Sequence, residues 1–183
     1  MPNIAALDIT NAGEAQPILD GVKKEIGMVP NLLATMANSP AALNAYLGFS
    51  GALSEGMLSP ALREQLALAV AGTNECDYCA SAHTLIAKGA GVSAEEAALN
   101  LSGKATDPRV NSILNFARRI VETRGHPDDA ALQELRDADI SDGEIVEIIA
   151  HVGVNIFTNY FNHIAGTDID FPHVNTAARL AAE

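Results

Sequence analysis

The residues best able to do chemistry lie in one stretch, Glu75-Cys76-Asp77-Tyr78-Cys79-Ala80-Ser81-Ala82-His83, which holds the chain's only two cysteines and a histidine four positions after the second. On a helix, positions three and four apart share a face, so both thiols and the imidazole would converge. Two thiols so spaced can close a small disulfide that a thiol partner readily reduces, and an imidazole one turn on can accept or return a proton. Glu75 falls where the chain should turn into this helix, which puts both cysteines in its first turn. There the unpaired backbone N–H groups favour a thiolate.

A lowered thiol pKa cannot be the whole of such a mechanism. Moving a thiol from about 8.5 to about 6.5 raises its thiolate fraction at neutral pH roughly twentyfold. With a Brønsted slope of about 0.4 to 0.5, intrinsic nucleophilicity falls nearly tenfold, so the net gain is only a few-fold. A peroxide-reducing site must also deliver a proton to the departing oxygen. His83 and Glu64, the latter on the preceding helix, are the candidates for that work.

The elements that must position these groups read as helices, with almost no strand-like alternation. A first amphipathic helix runs from Ala12 to Ile26, and Gly27-Met28-Val29-Pro30-Asn31 breaks it before a short apolar segment to Ala37. Ser39-Pro40 supplies an N-cap and first-turn proline for a helix to about Gly56, and Ser59-Pro60 repeats the device for Ala61 to Gly72. The run Leu66-Ala67-Leu68-Ala69-Val70-Ala71 is apolar on every side and should be buried. The cysteine helix follows and stops at Gly89-Ala90-Gly91. Ser93-Ala94-Glu95-Glu96 has the spacing of a capping box, Asp107-Pro108 opens a helix to about Thr123, and Ala130 to Ala138 forms another. A second capping box, Ser141 to Glu144, launches the longest helix, Glu144 to Ala165, closed by Gly166. The tail from Thr167 holds Phe171-Pro172 and ends in a weakly helical, Ala-rich segment.

The fold class is therefore all-α, with residues 1–183 forming a single domain. At 183 residues such a domain can bury a substantial core without staples, and with no Trp, three Tyr and five Phe that core must be built from small aliphatic side chains. A net charge of -12 speaks against nucleic acid or an anionic membrane surface as a partner. The N-terminus has no basic segment followed by an apolar run, and no uninterrupted stretch of eighteen apolar residues occurs, so a soluble, cytoplasmic protein is expected. In that compartment a lone cysteine pair is better suited to function than to stapling.

Glu64, Cys76, Tyr78, Cys79 and His83, in the pattern Glu-x11-Cys-x-x-Cys-x-x-x-His, resemble the carboxymuconolactone decarboxylase/AhpD-like superfamily, and most closely its peroxidase-related alkylhydroperoxidase D-type branch. Gly27-x-x-Pro30-Asn31 and Asn162-His163-Ile164-Ala165-Gly166-Thr167 are similar to that branch too, so the resemblance extends over most of the chain. It implies an AhpD-like helical bundle that assembles as a homo-oligomer, a trimer or hexamer. It implies that Cys79 attacks a hydroperoxide, that Cys76 resolves the resulting sulfenic acid as a disulfide, and that Glu64 and His83 relay protons. An external dithiol, lipoyl-bearing or thioredoxin-like, would restore the thiols, and no metal or bound cofactor is called for. One departure stands out. The better-known member has a histidine before the second cysteine, where this chain has Tyr78, and a neutral phenol cannot serve as a base near pH 7.

Other readings attach to the same residues. A lactone decarboxylase-like lyase would use His and Glu as acid and base without needing the thiols, and a non-catalytic redox sensor would use the disulfide to change assembly. Structural zinc would need a fourth ligand from His126, His151, His163 or His173. Glu144 precedes His163 by the same nineteen positions that separate Glu64 from His83, with Ile156 and Asn159 at the cysteine positions, which suggests a duplicated helical unit that lost its thiols. On the long helix, His151, Asn155, Asn159, Asn162 and His163 recur at spacings of three or four. They form a polar stripe, either hydrogen-bonding between helices or walling a pocket that faces the thiols.

Overall fold

The computed structural model describes residues 1–177. A short 3-10 turn, Gly13–Ala15, leads into α1, Gln16–Ile26, and the order continues with α2 Asn31–Met36, α3 Pro40–Ser54, α4 Pro60–Thr73, α5 Asp77–Gly89, α6 Ala94–Asn100, α7 Pro108–Glu122, α8 Asp129–Asp137 and α9 Asp142–Ala165. Among the described residues there is no strand. The helix starts follow the expected chemistry: Ser39, Ser59, Ser93, Asp107, Asp128 and Ser141 each accept a backbone N–H from their own first turn. The Ala-rich end expected to be weakly helical lies, from Ala178 onward, outside the described residues.

Helix α4 is the centre of the arrangement, packed against α5, α7 and α9. Its run from Leu66 to Ala71 is buried throughout, as its all-round apolarity requires. Leu68 and Ala71 belong to a cluster with Leu19, Leu33, Leu43 and both cysteines, whereas Leu66 and Val70 join Ile113, Leu114, Leu135 and Ile148 on the other side. Gly72 permits the close pass between α4 and the end of α6, because a Cβ there would overlap the Leu101 carbonyl.

Two expectations change. Ser93 caps α6, but the Glu96 carboxylate does not return to the cap. It binds the Thr106 backbone N–H, the Thr106 hydroxyl and the Asn100 side chain. A loop ten residues away outcompetes the local box, and only Ser141 and Glu144 form the reciprocal pair. The second change concerns the matched interval. Glu144 and His163 lie on the same helix, α9, rather than on two helices joined by a turn, so the interval does not repeat a structural unit.

Candidate active site

The corner between α4 and α5 makes the site. Glu75 takes φ +56°, a left-handed conformation that reverses the chain in one residue, and the Cys76 N–H then closes onto the Ala71 carbonyl at 2.9 Å. Cys76 becomes the N-cap of α5 in extended backbone, and Cys79 stands in the first turn. The reversal lays α5 back along α4, and His83 Nδ1 meets Glu64 Oε2 at 2.8 Å.

The two thiols sit in different surroundings, although both are free and buried. Cys79 is drawn down to about 6: the Cys76 thiol donates to it, the charge on His83 attracts its anion, and the Asn162 and Thr158 side chains add hydrogen bonds, which together outweigh burial. Asn162 Nδ2 donates to Cys79 Sγ at 3.3 Å, and Thr158 Oγ1 lies 3.9 Å from it. Cys76 is pushed up by its role as donor to Cys79, by burial and by the neighbouring charge, and remains a thiol. Its Sγ lies 3.9 Å from the Asn159 carbonyl, an acceptor that favours the protonated form. Burial opposes the charge on His83, yet the Glu64 carboxylate holds its pKa above the ordinary value.

Tyr78 has a structural occupation. Its hydroxyl accepts the Leu32 N–H at 3.0 Å, and its ring meets Phe171 edge-on at 5.7 Å. Burial, above all, drives the phenol well above its usual range, so it does not exchange protons near neutrality. The segment after α9 fastens over this end of α5. Thr176 donates its N–H and hydroxyl to Asp77 Oδ1, Val174 N–H donates to Ser81, and Asp170 accepts the Asn31 N–H at the start of α2.

Cys79 and His83 open into a cavity of about 160 Å³ lined mainly by apolar groups, including Leu32, Leu33, Ile86, Tyr78 and Phe171. His83, Tyr46 and Thr158 also border a polar cavity of about 180 Å³, which Glu64, Arg63, His151 and Asn155 line. Tyr46 is pushed up to about 12, chiefly by burial and then by the negative charge at Cys79.

Glu64, Cys76, Cys79 and His83 are thus brought together as the spacing anticipates. The polar stripe is partly so: His151, Asn155, Asn159 and Asn162 are buried, but His163 faces solvent. Asn159 accepts from Asn74 at 2.9 Å, an interhelical bond, while Asn162 faces the thiols. Thr158, Tyr46 and Arg63 were not singled out by sequence. Thr158 sits four positions before Asn162 and Arg63 adjoins Glu64, and those are the only signals they carry. Among the described residues no cluster of three or more His, Cys, Asp or Glu could hold a metal ion.

Residues 40–123 match the profile of the Carboxymuconolactone decarboxylase family, which contains the α3–α7 region and the whole cysteine corner. The match stops short of half the chain but includes the whole cysteine corner, and beyond it the fold as a whole is shared with solved structures. The fold is similar to that of a peroxidase-related protein from Ralstonia eutropha JMP134, an alkylhydroperoxidase AhpD core, with TM-score 0.81 and 23% identity over 91% of this chain and 93% of that one. A peroxidase-related protein from Silicibacter sp. TM1040 gives TM-score 0.79 and 24% identity over 91% and 92% of the two chains. The debrominase Bmp8, in a C82A form complexed with 2,3,4-tribromopyrrole, gives TM-score 0.79 and 20% identity over 98% and 96%. No curated protein matches the sequence significantly. The described helices include none long and apolar enough to cross a membrane.

Proposed function

We propose that this protein is a thiol-dependent hydroperoxide reductase of the alkylhydroperoxidase D type, working as a disulfide oxidoreductase. Supporting this most directly is the asymmetry of the cysteine pair: Cys79, whose thiolate is favoured, faces an apolar cavity beside an imidazole whose pKa Glu64 raises, and Cys76 is held as a thiol. Cys79 sulfur attacks the terminal oxygen of R–O–O–H and the O–O bond breaks. His83 gives its proton to the departing RO⁻, leaving ROH and a sulfenic acid on Cys79. Cys76 sulfur then displaces hydroxide, which takes the Cys76 proton and leaves as water, and the disulfide closes. An external dithiol, lipoyl-bearing or thioredoxin-like, reduces it by exchange, restoring both thiols as its own disulfide forms. Glu64 orients His83, which regains its proton from the Cys79 thiol that the external dithiol restores. Such a cycle suits a reducing cytoplasm.

The experiment is titration of the reduced protein with cumene hydroperoxide. One peroxide should remove two thiols, the Cys76→Ser variant should stop at a sulfenic acid on Cys79, and the Cys79→Ser variant should not react. Unchanged thiols in the native protein would end the proposal.

A second reading has one observation in its favour. The aromatic rings of Tyr46, Tyr78 and Phe171 border the same cavity as Cys79, a lining suited to a flat aryl ring. Two electrons from the dithiol would convert an aryl carbon–bromine bond to C–H and bromide as the disulfide forms. Bromide release from a brominated pyrrole, measured beside peroxide consumption, decides between the substrates.

Assembly as a homo-oligomer, a trimer or hexamer, is supported by an exposed apolar stripe on α9: Val146, Ile149, Phe157, Tyr160 and Ile164. Light scattering of the oxidised and reduced forms should give one multimeric mass, whereas a redox sensor would change mass between them.

A further inference from the structure

The thiol chemistry uses the apolar cavity and the Glu64–His83 pair but leaves the polar cavity unexplained. The two cavities share Tyr46, His83 and Thr158, so they are two arms of one cleft that bends at the imidazole. A wider groove beside α1 and α3, which also includes Tyr46, Glu64 and His83, forms the mouth.

The polar arm is a built site. His151 is only 6% exposed, lines the arm, and its Nε2 is buried without a hydrogen-bond partner. A buried ring nitrogen left in that state is costly unless something enters to meet it. Arg63 Nη1 donates to the Ser54 and Leu58 carbonyls at 2.7 and 3.1 Å, which fixes the guanidinium, while Nη2 and Nε bond no other described residue. The charges that face the arm are few. Glu64 and the Cys79 sulfur both face His83, Glu147 on α9 accepts the Met57 and Leu58 N–H groups, and Arg63 forms no ion pair with a described carboxylate. In a chain of net charge -12 such a guanidinium is an unusual thing to enclose. It suits one negative charge, and planar guanidinium geometry suits a carboxylate. At roughly 30 Å³ per water, the arm has room for a carboxylate with a few waters and little more.

We propose that the cleft takes an amphiphilic monoanion, with its carboxylate between Arg63 and His151 and its apolar body passing His83 to lie against Cys79. Which bond reacts at Cys79 rests on the reading above, but the binding mode does not depend on it.

The probes are straight-chain carboxylates from butyrate to decanoate and the primary amides of equal length, tested for protecting Cys79 of the reduced protein from iodoacetamide. A carboxylate should protect at about a tenfold lower concentration than its amide, as expected for one charge-assisted pairing. That advantage should shrink to about threefold or less in Arg63→Gln and in His151→Leu, and persist in Arg63→Lys. The His151 ring signals in an NMR spectrum should move when the carboxylate is added and stay still with the amide. Equal protection by both series, protection by neither, or an undiminished carboxylate advantage in His151→Leu and a folded Arg63→Gln would overturn the proposal. Peroxide-driven thiol loss in the same preparations reports separately on the reaction. A carboxylate preference without thiol loss would keep the site and remove the peroxidase.

Discussion

Glu64 and His83 meet at 2.8 Å, whereas Glu144 and His163, the same nineteen positions apart, stand on one continuous helix and are separated by about 28 Å. The turn at Glu75 accounts for the difference, since it folds one helix back on another. Each residue of the second pair has a different role. Glu144 closes the capping box of α9 and binds Arg109 at 2.6 Å, and its carboxyl is held down to about 2 by that guanidinium and by the Ser141 bonds. His163 faces solvent. Spacing becomes chemistry only where the backbone reverses. The first pair lies beside a thiolate, whereas the second contributes to helix stability.

Removing the nucleophile should produce the largest effect. Cys79→Ser should abolish peroxide-dependent thiol loss, while Cys76→Ser should keep a single stoichiometric reaction that mass spectrometry reads as one added oxygen. Next in size, Glu64→Gln should slow the peroxide step by about 10²-fold, the low end for losing a positioned proton relay. Glu144→Gln should leave that rate unchanged and lower stability by about 1 kcal/mol in denaturant titration. A rate loss in Glu144→Gln would mean that the two pairs are not divided in role. The pH dependence has a definite sign. The folded carboxyl of Glu144 lies below its ordinary value of 4.5, so its stabilisation is complete above that value and is lost as pH falls toward about 2.

Asn162→Leu should have a smaller effect, slowing Cys79 a few-fold and raising the pH at which it titrates, because an N–H donor to the sulfur is lost. The smallest effect falls on the turn itself. Glu75→Gly relieves a left-handed non-glycine residue and should change stability by about 0.5 to 1 kcal/mol, in the stabilising direction, with the peroxide rate unaltered. If Glu75→Gly slowed the reaction, its side chain would have a part that the fold does not give it.

Much of the architecture could be read from particular residues. The Ser-Pro and Asp-Pro pairs mark where α3, α4 and α7 begin, and the unbroken apolar run of α4 marks the buried centre. These signals are local and survive folding because each is satisfied within one turn. The Ser93–Glu96 spacing does not close into a box, because Glu96 finds better partners at Thr106 through a loop that local spacing does not describe. In the site, Cys79 and His83 are legible as neighbours on one helix and Glu64 as a carboxyl on the helix before it, but the contact between Glu64 and His83 is not, because it depends on the reversal at Glu75. The stripe on α9 shows the limit of periodicity: Asn162 donates to a sulfur, yet His163, about 100° further round the helix, reaches solvent. Arg63 gave no signal, since a lone arginine beside a glutamate on a helix is most simply a surface residue.

The division of labour between the two thiols is the central claim, and pH-resolved alkylation with peptide mapping tests it most directly. Reduced protein is pulsed with iodoacetamide from pH 4 to 10, and modification at each cysteine is counted separately. Cys79 should label first, with a midpoint at about 6, and Cys76 should stay unlabelled across the range while Cys79 is intact. Above the midpoint the Cys79 rate should hold until His83 loses its proton, at a pH above the ordinary imidazole value. Labelling of Cys76 before Cys79, or a shared midpoint above 8, would contradict the account.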